Sequence, residues 1–214
     1  MKRTFRWIIC LWAVALPWSV QAQTNLISNA GLETGDYSSW SQWQPENTVV
    51  NNWGHNGSGF SAAGWWQTSG WQDVTIADPN QSYTVGGWMY DDVAGGESLS
   101  GGAFASIRVE FKDVSDTVVG TWTTGNLTGL SLTDNNWNDF IALINPSSFG
   151  SGITKATLVW EVNNSGSGNG RGIFDDFIVQ ASPIPELSGW VNLSVGLLGL
   201  AAVYHSRRKQ KRTE

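Results

Sequence analysis

The chain reads as all-β, an antiparallel β-sandwich held between two targeting segments, and three observations carry that reading. Across residues 23–182 short runs of alternating apolar and polar residues recur, with the two-residue period of strands half buried in a core. Clusters of Gly, Asn, Ser and Asp, which tolerate turn conformations, punctuate the runs. No stretch in that region carries apolar residues at the three-and-four spacing of an amphipathic helix.

In chain order, the first 22 residues read as a signal peptide. Lys2, Arg3 and Arg6 form a positive n-region, residues 7–18 an apolar h-region, and Val20-Gln21-Ala22 places small residues at a cleavage position. The single cysteine, Cys10, lies inside that h-region, so the exported chain has no disulfide. Nine strands are expected next, at residues 25–28, 59–67, 71–76, 82–90, 103–112, 117–123, 138–144, 156–162 and 172–180. Gly95-Gly96, Gly101-Gly102 and the Asn/Ser/Gly run at 163–170 are loops, and residues 181–185 a linker. The tail, residues 183–214, sets Pro185-Glu186 before an apolar run at 187–204 and a basic end at 207–212. Eighteen residues at a 1.5 Å rise span about 27 Å, close to the ~30 Å hydrocarbon core of a bilayer. Such a run can cross a membrane once, and the Lys/Arg cluster behind it holds the C-terminus on the cytoplasmic side, with everything upstream outside.

The segment between, about 160 residues, suffices for one domain with a substantial core. It holds 16 of the 18 carboxylates against four basic residues, Arg108, Lys112, Lys155 and Arg171, a balance of about −12 that excludes a basic nucleic-acid footprint. Ten of the 14 Trp also lie there, far above ordinary usage. Period-two alternation assigns faces. Tyr83, Val85 and Met89 point inward and Trp88 and Tyr90 outward; Ala105, Ile107, Val109 and Phe111 point inward and Arg108 and Glu110 outward. Gln72, Val74 and Ile76 are internal, leaving Trp71 and Asp73 outside, and Leu158, Trp160 and Val162 are internal. Trp40, Trp137 and Trp160 are expected in the core.

The tail resembles the PEP-CTERM sorting signal of Gram-negative bacteria, in which a Pro-Glu-Pro motif, a hydrophobic helix and an Arg-rich end are read by an exosortase that cuts near the motif. Pro185 and Glu186 match, and Leu187 stands in place of the second proline. A plain C-terminal membrane anchor is the competing reading and gives the same topology. PEP-CTERM proteins accompany exopolysaccharide production, so the resemblance implies delivery to the cell surface or extracellular matrix.

The domain resembles carbohydrate-binding modules of the galactose-binding-like jelly-roll fold. The likeness rests on Asn29-Ala30-Gly31-Leu32-Glu33-Thr34-Gly35, on Trp71-Gln72-Asp73-Val74-Thr75-Ile76 and on the closing Ile173-Phe174-Asp175-Asp176-Phe177. Leu32 replaces the usual Phe and keeps an apolar anchor. The resemblance implies a jelly roll with a structural calcium joining its first and last strands, the matching groups being Glu33, Asp175 and the Gly31 carbonyl. Hard oxygen ligands of this kind suit Ca²⁺. Alternation puts Asp175 on the face of Ile173, Phe177 and Val179, where a carboxylate needs a partner or a metal. Solvation, or hydrogen bonds to loop amides, is the competing reading of Glu33 and Asp175.

Sugar rings expose apolar C–H faces that stack on Trp and Tyr, while their hydroxyls bond to Asn, Gln, Asp and Arg. Trp65, Trp66, Trp71, Trp88, Tyr90 and Arg108 are the sugar-binding candidates, with Trp53 and Gln67 beside them; the competing reading is that the rings fill the core. Catalysis finds little support. His55 is the one histidine of the domain, so neither a His-based triad nor a multi-His metal site can be assembled, and the glycine clusters lack a phosphate-loop pattern. The expectation is an exported surface or matrix protein that binds polysaccharide without catalysis or organic cofactor. Its partners would be polysaccharide, export machinery with an exosortase-like protease, and the inner membrane. The alternatives are a structural matrix scaffold with every Trp buried, and an adhesin that contacts protein through an apolar patch.

Overall fold

Residues 23–55, 59–164 and 168–182 are described by the computed structural model of the chain. The expected signal peptide, the expected sorting motif at Pro185 and Glu186, the apolar run and the basic end lie outside the described residues. Runs of alternating and β-branched residues form ten strands among those described: β1 (Ser41–Trp43), β2 (Thr48–Asn51), β3 (Ser61–Trp65), β4 (Thr68–Thr75), β5 (Tyr83–Tyr90), β6 (Ala103–Asp113), β7 (Val118–Thr123), β8 (Trp137–Ile144), β9 (Ile153–Asn164) and β10 (Arg171–Ala181). They pair antiparallel into two five-stranded sheets, one in the order β1-β4-β9-β6-β7 and the other β2-β3-β10-β5-β8. Among the described residues no helix is long and apolar enough to cross a membrane.

Eight of the nine expected strands form, with ends moved by up to three residues. The segment at 25–28 forms no strand; it hugs the last strand instead, with the Leu26 N–H donating to the Val179 carbonyl at 2.8 Å and the Asn25 amide to the Phe177 carbonyl at 2.7 Å. Strands β1 and β2 are additions, three and four residues long at the sheet edges and broken from one another by Gln44 and Pro45.

The core lies between the sheets. Tyr83, Val85, Met89, Ile107, Phe111, Leu158 and Trp160 are buried there, as alternation requires, and Phe174 joins them. Trp160, fully buried, stacks near Tyr37 and Phe174. Its indole edge lies over Gly70, where a Cβ would come within 2.4 Å of Nε1. Trp40 is buried against Phe177, with ring centroids 4.8 Å apart, and donates its Nε1–H to the Asn29 carbonyl.

Two departures from regular alternation set the chemistry of the surface. In β10 the register with β5 runs Asp175 to Trp88 and then Ile178 to Gly86, one extra residue on β10, with Asp176 at φ 45°. This bulge corrects the expected facing of Asp175: it shares the outer side with Ile173, while Phe177 and Val179 return to the core. The second departure is the link from β3 to β4, where two residues, Trp66 and Gln67, carry the chain from one sheet to the other. Trp66 makes that corner with φ 56°, a backbone conformation bulky residues seldom adopt.

Candidate functional site

The β3–β4 corner leaves its tryptophan in solvent rather than in the core. Trp66 is 63% exposed. It stands beside a cavity of about 370 Å³ lined by Gln44, Asn47, Gln67, Asn164 and Gly168. A second cavity of about 170 Å³ shares Gln67 and adds Trp43, Ser69, Glu161 and Asn163. Trp43, on edge strand β1, is 49% exposed. The side-chain oxygens of Asn163 and Asn164 are shielded from solvent yet accept no hydrogen bond. Two open aromatic faces, several primary amides and two spare acceptors therefore converge on one corner.

The outer face of the β1-β4-β9-β6-β7 sheet continues from this corner. Cross-strand partners share a face, so Trp43, Ser69, Glu161 and Ser106 form one row, and Ser41, Trp71, Val159, Arg108 and Thr123 the next. Trp71 and Arg108, both sugar-binding candidates, thus flank Val159, which is buried between them. The Arg108 guanidinium donates from Nε to Glu110 at 2.9 Å and from Nη1 to Glu161, whose other oxygen accepts from the Ser106 hydroxyl at 2.9 Å. Burial alone would push the Glu110 carboxyl up, but Arg108 and Lys112 outweigh it and hold Glu110 below the ordinary 4.5. The network is fixed in direction, with charges largely cancelled.

Trp65, Trp88 and Tyr90 lie elsewhere, on the outer side of the other sheet. Trp88 stacks on His55 with centroids 3.9 Å apart and planes 22° from parallel. Tyr90 meets Trp53 at 5.0 Å and Trp137 at 5.4 Å. His55 Nδ1 lies 2.8 Å from an Asp176 carboxylate oxygen. These rings spend their faces on one another and close over Ile173, which is fully buried although it faces outward. Trp137 belongs to this outer cluster, which corrects its expected place in the core: β8 alternates with Phe140, Ala142 and Ile144 inward, so Trp137 points out. Trp65 donates its Nε1–H to Glu97 at 3.0 Å beneath the Arg171 guanidinium, 5.3 Å from the ring centre. The expected candidates thus divide between two opposite faces, with Trp66 at the corner.

The carboxylates of Glu33, Asp175 and Asp176 converge beside Gly31. A Cβ on Gly31 would lie 3.1 Å from Glu33 Oε1 and 3.3 Å from Oδ1 of both Asp175 and Asp176, a space that only glycine leaves open. Asp175 is fully buried and accepts the His55 N–H at 2.6 Å. Oxygen donors from both ends of the domain, one of them a buried carboxylate, suit a hard cation. Among the described residues no set of three or more His, Cys, Asp or Glu side chains is already arranged to hold a metal ion.

Sequence reasoning missed Gln44, Asn47 and Asn164 beside Trp66, and Trp43, Asn163 and Glu161 around the adjoining cavity. Residues 163–164 open the glycine-rich run and read as loop, whereas they end β9 beside the corner.

Fold and surface together define a β-sandwich with an aromatic, amide-lined corner and a polar outer sheet. No protein-family model and no curated protein matches the chain. Among solved structures it is similar to the enzymatically active domain of tailspike protein 4 from bacteriophage CBA120, at 15% identity and TM-score 0.55, covering 74% of this chain and 21% of that one. The chain thus spans about a fifth of the tailspike's length. A cyclase from Fischerella sp. TAU aligns at 14% identity and TM-score 0.52 over 76% of this chain and 98% of that one. A Family 16 Carbohydrate Binding Module-2 aligns more loosely, at 15% identity and TM-score 0.48 over 74% of this chain and 100% of that one. The first two likenesses speak to the fold.

Proposed function

We propose that this is an exported surface or matrix protein that binds polysaccharide without catalysis, through the Trp66 corner and the outer face that carries Trp71 and Arg108. The observation that carries the reading is Trp66 itself. A strained, largely exposed indole beside Gln44, Asn47, Gln67 and Asn164 offers a flat apolar platform ringed by hydrogen-bonding groups, the pairing a sugar ring requires. The Arg108–Glu110–Glu161 network, held rigid by mutual bonds, presents oriented donors and acceptors farther along the same face. The outer cluster of Trp53, Trp88, Tyr90 and Trp137 is packing for the opposite face.

A calcium ion held by Glu33, Asp175 and the Gly31 carbonyl pins the two ends of the domain, replacing the disulfide that a chain with its one cysteine in the signal peptide lacks. The signal peptide exports the domain, and the tail, read by an exosortase-type protease or kept as an anchor, places it at the surface near exopolysaccharide.

The test is isothermal titration of the purified chain with a panel of soluble polysaccharides. Trp66→Ala and Trp71→Ala are expected to weaken binding of the recognised glycan at least about tenfold, some 1.4 kcal/mol. Trp88→Ala is expected to leave affinity unchanged. No binding across the panel would favour the scaffold reading instead.

A further inference from the structure

Asp91 follows β5 directly, bridging to Asp134 of the neighbouring turn, and its side chain has no role in the surface already described. It is 1% exposed, and neither carboxylate oxygen has a partner in hydrogen-bond geometry, although the Ser98 hydroxyl comes close. A buried, ionised and unpaired carboxylate is among the costlier things a fold can hold, so it takes up either a proton or a cation. Among the described residues no ion pair reaches Asp91: the Arg171 guanidinium donates from Nη2 to Asp92 at 2.5 Å and covers the Trp65 ring, and its Nε is buried without a partner. Burial, the largest influence, raises the Asp91 pKa; the nearby Ser98 hydroxyl draws it down, and the Asp134 and Asp92 carboxylates raise it again. The backbone there is tied from both sides. The Asn135 N–H donates to the Asp91 carbonyl at 2.8 Å, and the Asn135 side-chain oxygen accepts from the Ala94 N–H at 2.6 Å.

We propose that Asp91 anchors a second divalent-cation site of calcium type, with Asp134 and the Ser98 hydroxyl as further oxygen ligands and main-chain carbonyls and water completing the shell. The donor set is all oxygen, from two segments distant in sequence, at the point where the β5–β6 loop meets the turn before β8. Hard oxygen donors and a bidentate carboxylate match Ca²⁺, which takes 6–8 such ligands; Mg²⁺ demands a tighter octahedron. With two carboxylates available, affinity falls in the range of extracellular modules, roughly 0.1–1 mM. The bound ion ties the β5–β6 loop to the 132–136 turn. This site does not involve Glu33 or Asp175.

The experiment compares the wild-type chain with Asp91→Asn and Glu33→Gln, by thermal melting and by equilibrium dialysis with ⁴⁵Ca²⁺ up to about 10 mM, a ceiling set by that affinity range. In chelator Asp91→Asn is expected to melt at least as high as wild type, since it removes a buried, unpaired charge. In saturating calcium the order reverses, and Asp91→Asn holds one ion fewer per chain, whereas Glu33→Gln keeps the ion at Asp91. The proposal is overturned if Asp91→Asn binds as many ions as wild type, or if its melting temperature gains as much from calcium. In either case a proton, not a cation, satisfies Asp91.

Discussion

Trp66 combines two costs that a purely structural residue would not combine. Its φ of 56° stores strain, and its ring stays in water. Replacing it by glycine, which adopts positive φ freely, is expected to stabilise the domain by about 1 kcal/mol, the lower end of the strain range. The same change is expected to abolish glycan affinity. Urea melts paired with binding titrations of Trp66→Gly check both, and a loss of stability would mean that the ring packs more than its exposure implies. Glu110 makes a pH statement at the same scale. Its carboxyl sits below the ordinary 4.5 because Arg108 and Lys112 outweigh burial, so its ionised form favours the fold. That contribution is complete above 4.5 and is lost as the pH falls through the lower, folded value. The melting temperature of Glu110→Gln is therefore expected to fall less steeply than that of wild type below pH 4.5. Parallel acid titrations of the two would remove Glu110 from the account.

At the scale of elements, β4 and β9 depend on one close approach. Gly70 lies under the Trp160 indole, and a methyl there would stand 2.4 Å from Nε1. Gly70→Ala is expected to cost about 1–3 kcal/mol, the usual penalty of overpacking, read from the urea midpoint. A neutral result would show that Trp160 can shift within the core. This contact also marks how far the sequence could be read. Strands β5 and β6 were legible because both faces alternate without interruption, and Trp160 was legible as core because Leu158 and Val162 share its face. Short edge strands β1 and β2 carried no such pattern, since three or four half-exposed residues beside Pro45 leave no period to detect. Asp175 was misassigned because a bulge adds one residue to β10 and reverses the parity of everything before it. Trp137 was misassigned because aromatic residues on an outward face can half-bury one another, and only the path of the 51–55 segment shows which rings meet. The candidate site was half legible: Trp66, Gln67, Trp71 and Arg108 were named. The amides that join them come from the link between β1 and β2 and from the end of β9, distant in sequence.

For the whole molecule, the N-terminal segment closes the domain against its final strand. Besides the Leu26 and Asn25 contacts, the Gln23 amide reaches the Ser182 carbonyl at 2.9 Å and the Val179 N–H donates to Asn25 at 3.0 Å. Glu33 and Asp175 meet across the same seam, beside Gly31. Chelation is expected to lower the melting temperature of the chain and to leave Asp175→Asn largely unresponsive at its chain-end ion; equal responses in both would separate the seam from calcium. The two faces of the sandwich make the central claim most exposed to test. Proton–nitrogen correlation spectra of the ¹⁵N-indole-labelled chain, recorded during titration with the recognised polysaccharide, report each indole N–H separately. Shifts are expected at Trp43, Trp66 and Trp71 and none at Trp53, Trp88 or Trp137. Shifts confined to Trp53, Trp88 and Trp137 would contradict this and move the binding surface to the opposite sheet.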